Sequence, residues 1–579
     1  MTLRPLRGAV WPALALLALA APCAVAAELE QATTHALIKV RPNAPLPESS
    51  PVELGAARNE FEAFQVVLRG AGGAVAEIDV EPGDLVAEQG GGRIDRRFVA
   101  VYLEGFLDLA RPSSSRGAVG EWPDPLLPRV DAYAGERRNA FPFAVEDGRN
   151  QPLWIEVFVP PETPAGSYRG ELAITVAGEP RSKVPWSLEV WPFTLPATAS
   201  YRTSFGFSGL SALRVHRGGY TDERDLRELT QLYAAAALRH RISFYGGTMS
   251  PPPTVFRADE AKVDWRLYDE EVEPLLDGTL LGAGTPLAGA RVTSIDVRTP
   301  PSYDDRQRVL YWRAWVEHFR ERGWLDRLFL YVWDEPTEEE YPEVARLASL
   351  ARRAEPALPV LLTETLVPQM AELVDVWVPL VNCFVRAGVD TCGGEPVLRP
   401  SYRQAERGGA RVWWYQSCAS HGCFIVGGDP FRPWPSYMID APATAHRVLP
   451  WLAWRLGIEG ELYFNTVEAY NGEADPWRDV YLFGGNGDGT LFYPGTPRRI
   501  GGRSHVPVES LRLKVIRDGL EDYEYLVLAA EQGLRPFAVE RSAAVAHRVD
   551  QWQRDPEAYY AARAAIARQL AQRAEGGSP

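Results

Sequence analysis

The stretch Leu328-Phe329-Leu330-Tyr331-Val332 runs directly into Trp333-Asp334-Glu335-Pro336. Continuous apolar and aromatic character over a few residues matches a strand covered on both faces, as in a parallel sheet wrapped by helices. Two adjacent carboxylates then stand where that strand emerges into a loop, and in a closed α/β barrel this rim carries the chemistry. The plainer reading has Asp334 and Glu335 opening the next helix, whose amino terminus favours negative charge. However, Thr337-Glu338-Glu339-Glu340 has capping-box spacing, so that helix brings its own cap and the two acids are left over. Pro336 disfavours the helical region for Glu335 and predicts an extended residue there, with the pair partly buried beside Trp333 near the strand tip.

Outward from this strand the chain alternates strand and helix. Strand candidates fall at 203–207, 242–245, 292–297, 360–363, 376–381, 412–416 and 462–466, which with the Asp-Glu strand makes eight. Helical spacing is clear at 222–238 and 305–322. Such alternation over roughly 250–300 residues fits a closed (β/α)8 barrel of the TIM type better than an open doubly wound sheet. No glycine-rich phosphate fingerprint follows the first strand, which removes the main support for nucleotide binding.

Upstream the pattern changes. Short β-rich runs at 64–68, 98–103, 153–159 and 168–174 are separated by Gly and Pro clusters, the signature of an antiparallel β-sandwich. Residues 192–196 read as a linker. Downstream, 510–532 is a helix with Leu511, Val515, Ile516, Leu520, Tyr523 and Leu526 at packing positions, expected to lie on the barrel, and 542–573 is a further helix. The expected organisation is therefore a leader at 1–26, a β-sandwich at 27–197, a catalytic barrel at 198–505 and a helical segment at 506–579.

The leader is read from Arg4 and Arg7, an Ala- and Leu-rich run at 11–21, and the small-x-small signal Ala24-Val25-Ala26. It implies a secreted or periplasmic protein. The run is too short to span a bilayer and no second one occurs, so no transmembrane anchor is expected. Net charge is -15, and loss of the two leader arginines makes it -17. With no basic block, nucleic acid is not an expected partner. Outside the leader the cysteines are Cys383, Cys392, Cys418 and Cys423. Export favours disulfides, and the local pairing of Cys383 with Cys392 and Cys418 with Cys423 would pin two loops, although four cysteines permit three pairings. A zinc site that uses His421 is the weaker alternative, because structural zinc prefers closer paired ligands. The expected site holds no metal and no cofactor.

Four segments carry a family resemblance: Ala57-Arg58-Asn59-Glu60-Phe61-Glu62-Ala63-Phe64-Gln65, Trp333-Asp334-Glu335-Pro336, Gly487-Asp488-Gly489 with Leu491-Phe492-Tyr493-Pro494-Gly495, and Ser510-Leu511-Arg512-Leu513-Lys514 through Arg517-Asp518-Gly519-Leu520-Glu521-Asp522-Tyr523. Together they resemble glycoside hydrolase family 123 and its relatives of unassigned function. The resemblance implies an N-terminal β-sandwich joined to a barrel. It also implies an exo-acting β-N-acetylgalactosaminidase that retains configuration through the substrate's own acetamido group. Glu335 would then be the acid/base and Asp334 the residue that orients the acetamido group.

Local chemistry agrees with that implication. Ordinary retaining glycosidases set two carboxyl groups about 5 Å apart across the anomeric carbon, and inverting ones set them further apart. Neighbours on one strand end do not flank a sugar easily, but they can serve one face of it. Aromatic and amide groups for carbohydrate binding are Trp333, Tyr415, Asn465, Trp477 and Tyr493, with Tyr415 first, each weighed against simple packing. Two alternatives stay open. Glu335 could act with a carboxylate of another strand, Glu364 or Glu468, or the protein could bind a polysaccharide without cutting it. Oligomeric state is not legible.

Overall fold

The computed structural model describes Met1 and residues 27–115, 117–247, 250–384, 399–421 and 434–576. The leader, Cys392, Cys423 and the His421 side chain lie outside the described residues. Among these residues no helix is long and apolar enough to cross a membrane.

The N-terminal region is β-rich. Strands Glu28–His35, Glu60–Ala71, Asn150–Val159, Val99–Leu109 and Gly120–Pro128 form one sheet in that spatial order, each antiparallel to its neighbour. A second sheet runs Glu53–Arg58, Glu179–Thr194, Gly166–Val176, Val75–Pro82 and Phe143–Val145. Side chains of both, among them Phe64, Val66, Leu68, Ile155, Leu172, Ile174, Trp186 and Leu188, share one apolar core. The strand Glu60–Ala71 is buried along nearly its whole length, which places a covering layer on its other face as well. Residues 192–196 do not behave as a linker. The strand continues to Thr194, which pairs with Arg58, and Leu195 N–H donates to the Arg58 carbonyl.

All eight barrel strands appear within a few residues of their expected places. They are Arg202–Ser208, Phe244–Gly247, Ile295–Asp296, Leu328–Asp334, Val360–Thr363, Val376–Trp377, Arg411–Tyr415 and Gly460–Tyr463, all parallel in one eight-stranded sheet. The order begins at Phe244–Gly247, passes through Arg202–Ser208 to Gly460–Tyr463, and ends at Leu328–Asp334 and Ile295–Asp296. The barrel is nearly closed, since no ladder joins Phe244–Gly247 to Ile295–Asp296. Side chains bridge that seam at its base. Thr293 N–H donates to Ser243 Oγ (2.7 Å), Ser243 N–H to Thr203 Oγ1 (2.8 Å) and Thr203 N–H to Thr293 Oγ1 (3.0 Å), and all three residues are buried. Three small hydroxyls thus satisfy amides that water cannot reach.

The helix Leu511–Ala529 joins the parts. Its start is capped by Ser510, whose hydroxyl accepts from Leu513 N–H. The expected apolar positions are buried, except that Tyr523 is only half-buried, and so are Arg512, Lys514, Arg517, Asp518, Glu521, Asp522 and Glu524. Each of the three cations meets a carboxylate of the β-rich region: Arg512 with Asp124 (2.8 Å), Lys514 with Glu156 (3.0 Å) and Arg517 with Glu156 (2.7 Å). Two of its anions meet arginines of the barrel layer, Glu521 with Arg241 (3.2 Å) and Asp522 with Arg447 (2.6 Å). The helix is therefore a charged spline between the β-rich region and the barrel. The chain after it also differs from expectation. Instead of one helix over 542–573, Arg535–Val545 and Pro556–Gly576 are separated by short strands Ala546–Arg548 and Gln551–Trp552.

Candidate active site

The strand Leu328–Asp334 turns from buried to exposed along its length, so Asp334 sits at its carboxyl-terminal tip and Glu335 just beyond. Interior side chains Phe329 and Tyr331 belong to the barrel's inner cluster with Leu361, Trp413 and Tyr415. Trp333 faces outward and packs, half-buried, on the layer between sheet and helices. Both acids are exposed, contrary to the expected burial beside Trp333. The polypeptide leaves the barrel at once through Pro336, and among the described residues no element covers the pair. Glu335 is also not extended. Its φ of 43° lies in the left-handed region, which costs a non-glycine residue about 1–3 kcal/mol unless its surroundings impose it. The helix begins later than expected, at Tyr341. The Thr337–Glu340 box survives as a turn in which the Glu340 carboxylate accepts from Thr337 N–H (2.8 Å) and Thr337 Oγ1 (2.9 Å).

Three side chains hold the pair. Thr363, at the end of the adjacent strand, accepts the Glu335 amide N–H on Oγ1 (3.0 Å) and donates to Asp334 Oδ1 (3.0 Å). Tyr331 donates its hydroxyl to the same Asp334 oxygen (2.6 Å). Tyr415, at the tip of Arg411–Tyr415, donates to Glu335 Oε1 (2.5 Å). Burial, reinforced by the neighbouring carboxylates, pushes the Tyr331 and Tyr415 hydroxyls well above the usual tyrosine range, so both remain protonated donors. Among the described residues neither acid enters an ion pair, and Asp334 Oδ2 and Glu335 Oε2 take no hydrogen bond. One oxygen of each carboxylate is anchored and the other faces outward.

Glu335 opens on a cavity of about 390 Å³ whose walls include Thr363, Glu364, Tyr341, Tyr415 and Cys383. That volume suits a sugar ring. Cys383 is disulfide-bonded, as is Cys418. Glu364 shares the cavity, and burial raises its carboxyl above the ordinary range. Its oxygens are largely engaged, Oε1 by Thr365 N–H (2.6 Å) and Thr365 Oγ1 (2.8 Å) and Oε2 by Tyr341 at 3.5 Å. Glu468 is elsewhere, accepting from Asn465 Nδ2 (2.5 Å) and Asn471 Nδ2 (3.0 Å).

Of the aromatic and amide candidates, the structure brings Tyr415 to the acids. Asn465 follows the strand Gly460–Tyr463 at the same rim, where its Oδ1 accepts from the amides of Thr466 (2.8 Å) and Val467 (3.0 Å). Trp477 and Tyr493 do not reach the cavity. Their rings pack on each other at 5.2 Å in a separate cluster, the Trp477 indole donates to the Pro494 carbonyl (3.1 Å), and the fully buried Tyr493 donates to Asp124. Trp477 in its turn and Tyr493 in the short strand Phe492–Gly495 both face the β-rich region, so their aromatic groups fill an interface. Thr363 and Tyr331 were missed, because a threonine ending a strand and a tyrosine inside one carry no distinguishing signal. Among the described residues no group of His, Cys, Asp and Glu could hold a metal ion.

Comparison with known proteins adds the following. The family model "Glycoside hydrolase 123, catalytic domain" matches residues 297–529, a span that contains both acids and the long charged helix. No curated protein matches. Among solved structures, a family 123 glycoside hydrolase from Clostridium perfringens, described for glycolipid glycan hydrolysis, aligns with a TM-score of 0.66 at 12% identity over 95% of this chain and 98% of that one. A family 39 glycoside hydrolase from Bacteroides cellulosilyticus WH2 aligns at a TM-score of 0.32 and 11% identity, over 76% of this chain and 80% of that one. A GH5 xyloglucanase from Bacteroides ovatus reaches 0.28 at 10% identity, over 81% and 98%. Neither of the last two carries weight here, whereas the first shares the fold along the whole chain. Residues 297–529 thus match the catalytic-domain model of glycoside hydrolase family 123, and the chain is a glycoside hydrolase.

Proposed function

We propose that this protein is an exo-acting β-N-acetylhexosaminidase, of the N-acetylgalactosaminidase type, that retains configuration by substrate-assisted catalysis. The supporting observation is that two adjacent carboxylates share a single rim position, each with one oxygen anchored and one presented outward. In this reading Glu335 protonates the glycosidic oxygen while Asp334 accepts the acetamido N–H. That hydrogen bond aims the acetamido carbonyl oxygen at the anomeric carbon, and the C–O bond to the leaving group breaks as the oxazolinium ring closes. Asp334 balances the positive charge of that ring. Glu335, now a carboxylate, then takes a proton from the water that reopens it, so the same residue serves as acid and base. The β-rich region is read as a β-sandwich supporting the barrel. The leader-like segment and the disulfides at Cys383 and Cys418 support export.

The test uses purified protein and chromogenic N-acetyl-β-hexosaminides. Glu335→Gln is expected to lower kcat about 10²- to 10⁴-fold, the usual worth of general acid catalysis. Asp334→Asn should impair acetamido substrates selectively. Wild-type rates in both variants would refute the assignment. A second reading pairs Glu335 with Glu364, on the observation that both line one cavity. It requires cleavage of glycosides that lack a 2-acetamido group, and abolition of activity by Glu364→Gln. Because Thr365 and Tyr341 occupy the Glu364 oxygens, we expect that variant to lose less than about tenfold.

A further inference from the structure

A second cavity, of about 420 Å³, is walled in part by Tyr331 and shares no lining residue with the Glu335 cavity. Tyr331 forms one wall while its hydroxyl holds Asp334, and Tyr245 stands beside it with ring centroids 6.0 Å apart. One cavity is thus walled by Glu335 and the other by the residue whose hydroxyl anchors Asp334.

The lining of this second cavity differs in charge from the protein as a whole. Arg298 and Arg308 both face it, against a single carboxylate, Asp296. In a chain of net charge -15 a cationic recess is unusual and would draw an anion toward it. Both guanidinium groups are only loosely engaged. Arg298 approaches Asp296 at 3.5 Å, and its Nε is buried with no hydrogen-bond partner among the described residues. Arg308 approaches Asp305 at 3.8 Å, while Asp305 itself is held more closely, at 2.5 Å, by Arg346. By contrast the paired arginine Arg346 grips Glu343 with two bonds of 2.7 Å. A planar guanidinium with open donors suits a tetrahedral or planar oxyanion.

We infer that this cavity is a subsite for an anionic substituent, a sulfate or a carboxylate, carried by the sugar whose bond is cleaved and bound by Arg298 and Arg308. The inference rests on the reading that Glu335 faces the leaving group and Asp334 the acetamido group. It places the charged substituent on the glycone side of the acid pair and makes the preferred substrate an acidic aminosugar glycan.

Two measurements test it. The first is titration calorimetry of the full-length Glu335→Gln protein with free N-acetylgalactosamine, its 3-, 4- and 6-O-sulfates, and the corresponding uronic acid. At least one charged sugar should bind tenfold or more tightly than the neutral one. Adding Arg308→Gln should remove 10- to 100-fold of that affinity, Arg308→Lys should keep part of it, and the advantage should shrink between 50 and 500 mM salt, a range chosen to cross the screening length of a small pocket. Whether a sulfate or the uronate is preferred identifies the anion. The second is kcat/KM of the protein and of its Arg308→Gln variant on the matching nitrophenyl β-glycosides, where neutral-substrate turnover should be unchanged by the substitution. If the neutral sugar binds as well as every charged one, or if Arg308→Gln weakens neutral and charged sugars alike, the subsite is refuted. Anion-selective binding without turnover of any acetamido glycoside would leave the subsite standing and sink only the hexosaminidase reading.

Discussion

Thr363 offers the sharpest test of how the acid pair is positioned. It is 2% exposed, and its one hydroxyl, which also stands 3.0 Å from the Tyr331 hydroxyl, makes two bonds of 3.0 Å to the acid pair, accepting from the Glu335 amide and donating to Asp334 Oδ1. Thr363→Val keeps the branched shape and deletes both. A hydrogen bond to a charged group is worth about 1.5–3 kcal/mol, of which Tyr331 retains a share by still donating to the same oxygen. The amide bond matters because Glu335 is held at a φ of 43°, a conformation that needs external support, and without it the backbone can relax and swing the carboxylate. If about 2 kcal/mol of this support is used in the transition state, kcat falls roughly 30-fold, at about 1.4 kcal/mol per tenfold. We therefore expect a 10- to 100-fold loss in kcat on an N-acetyl-β-hexosaminide with KM changed less than about threefold. Thr363→Ser, which keeps the hydroxyl, should recover most of the rate, and urea unfolding would confirm that both variants are folded. Wild-type turnover in Thr363→Val, or equal loss in the serine variant, would refute the positioning role.

Other consequences are more briefly stated. Tyr415→Phe removes the 2.5 Å bond to Glu335 Oε1 and should lower kcat about tenfold while leaving KM nearly unchanged, measured by steady-state kinetics. Glu104 is 1% exposed with neither carboxylate oxygen hydrogen-bonded among the described residues, and burial, with a smaller contribution from Asp124, pushes its carboxyl up to about 8. Its folded pKa lies above the unfolded one, so its contribution to stability is fully present below about pH 4.5 and is lost as pH rises through about 8. Glu104→Gln should flatten the stability decline between pH 5.5 and 8.5 by a few kcal/mol, read from urea midpoints, and parallel slopes in the two proteins would contradict the assignment. Arg512→Met strands the fully buried Asp124, whose two oxygens each accept an Arg512 N–H at 2.8 Å, and should cost about 3–5 kcal/mol in the same assay.

The barrel was legible because its strands are buried on both faces and therefore read as short continuous apolar runs, a pattern that depends on local sequence alone. What was not legible depends on distant partners. Helical periodicity gave Leu511–Ala529 an apolar stripe but said nothing of where its charges go, since a sequence window cannot see Asp124 or Glu156 some 360 to 390 residues away. The same holds for Glu60 and Glu62, which meet Arg563 of the last helix. Residues 192–196 looked like a linker from their prolines, yet Pro192 falls where the ladder to Glu53–Arg58 breaks register between Val190 and Thr194, an irregularity that tolerates proline, and the chain there continues the sheet.

The acid pair was legible for a different reason. Polar residues directly after an apolar run have a place fixed by the run itself, at the strand tip, so type and position arrive together. For Trp477 and Tyr493 only the type was given. Trp477 sits in a turn and Tyr493 in the short strand Phe492–Gly495, and both turn toward the β-rich region, where the aromatic rings are structural. Glu335 falls between the two cases. Pro336 excludes the right-handed helical region, but that exclusion leaves both the extended and the left-handed wells open, and only the Thr363 bond from the next strand selects the latter. A group whose position follows from its own strand and whose conformation follows from a neighbouring one should tolerate changes in the first less than in the second. Disrupting the strand would move both acids together, whereas disrupting Thr363 would move Glu335 relative to Asp334 and so, under the proposed mechanism, separate proton transfer from acetamido orientation.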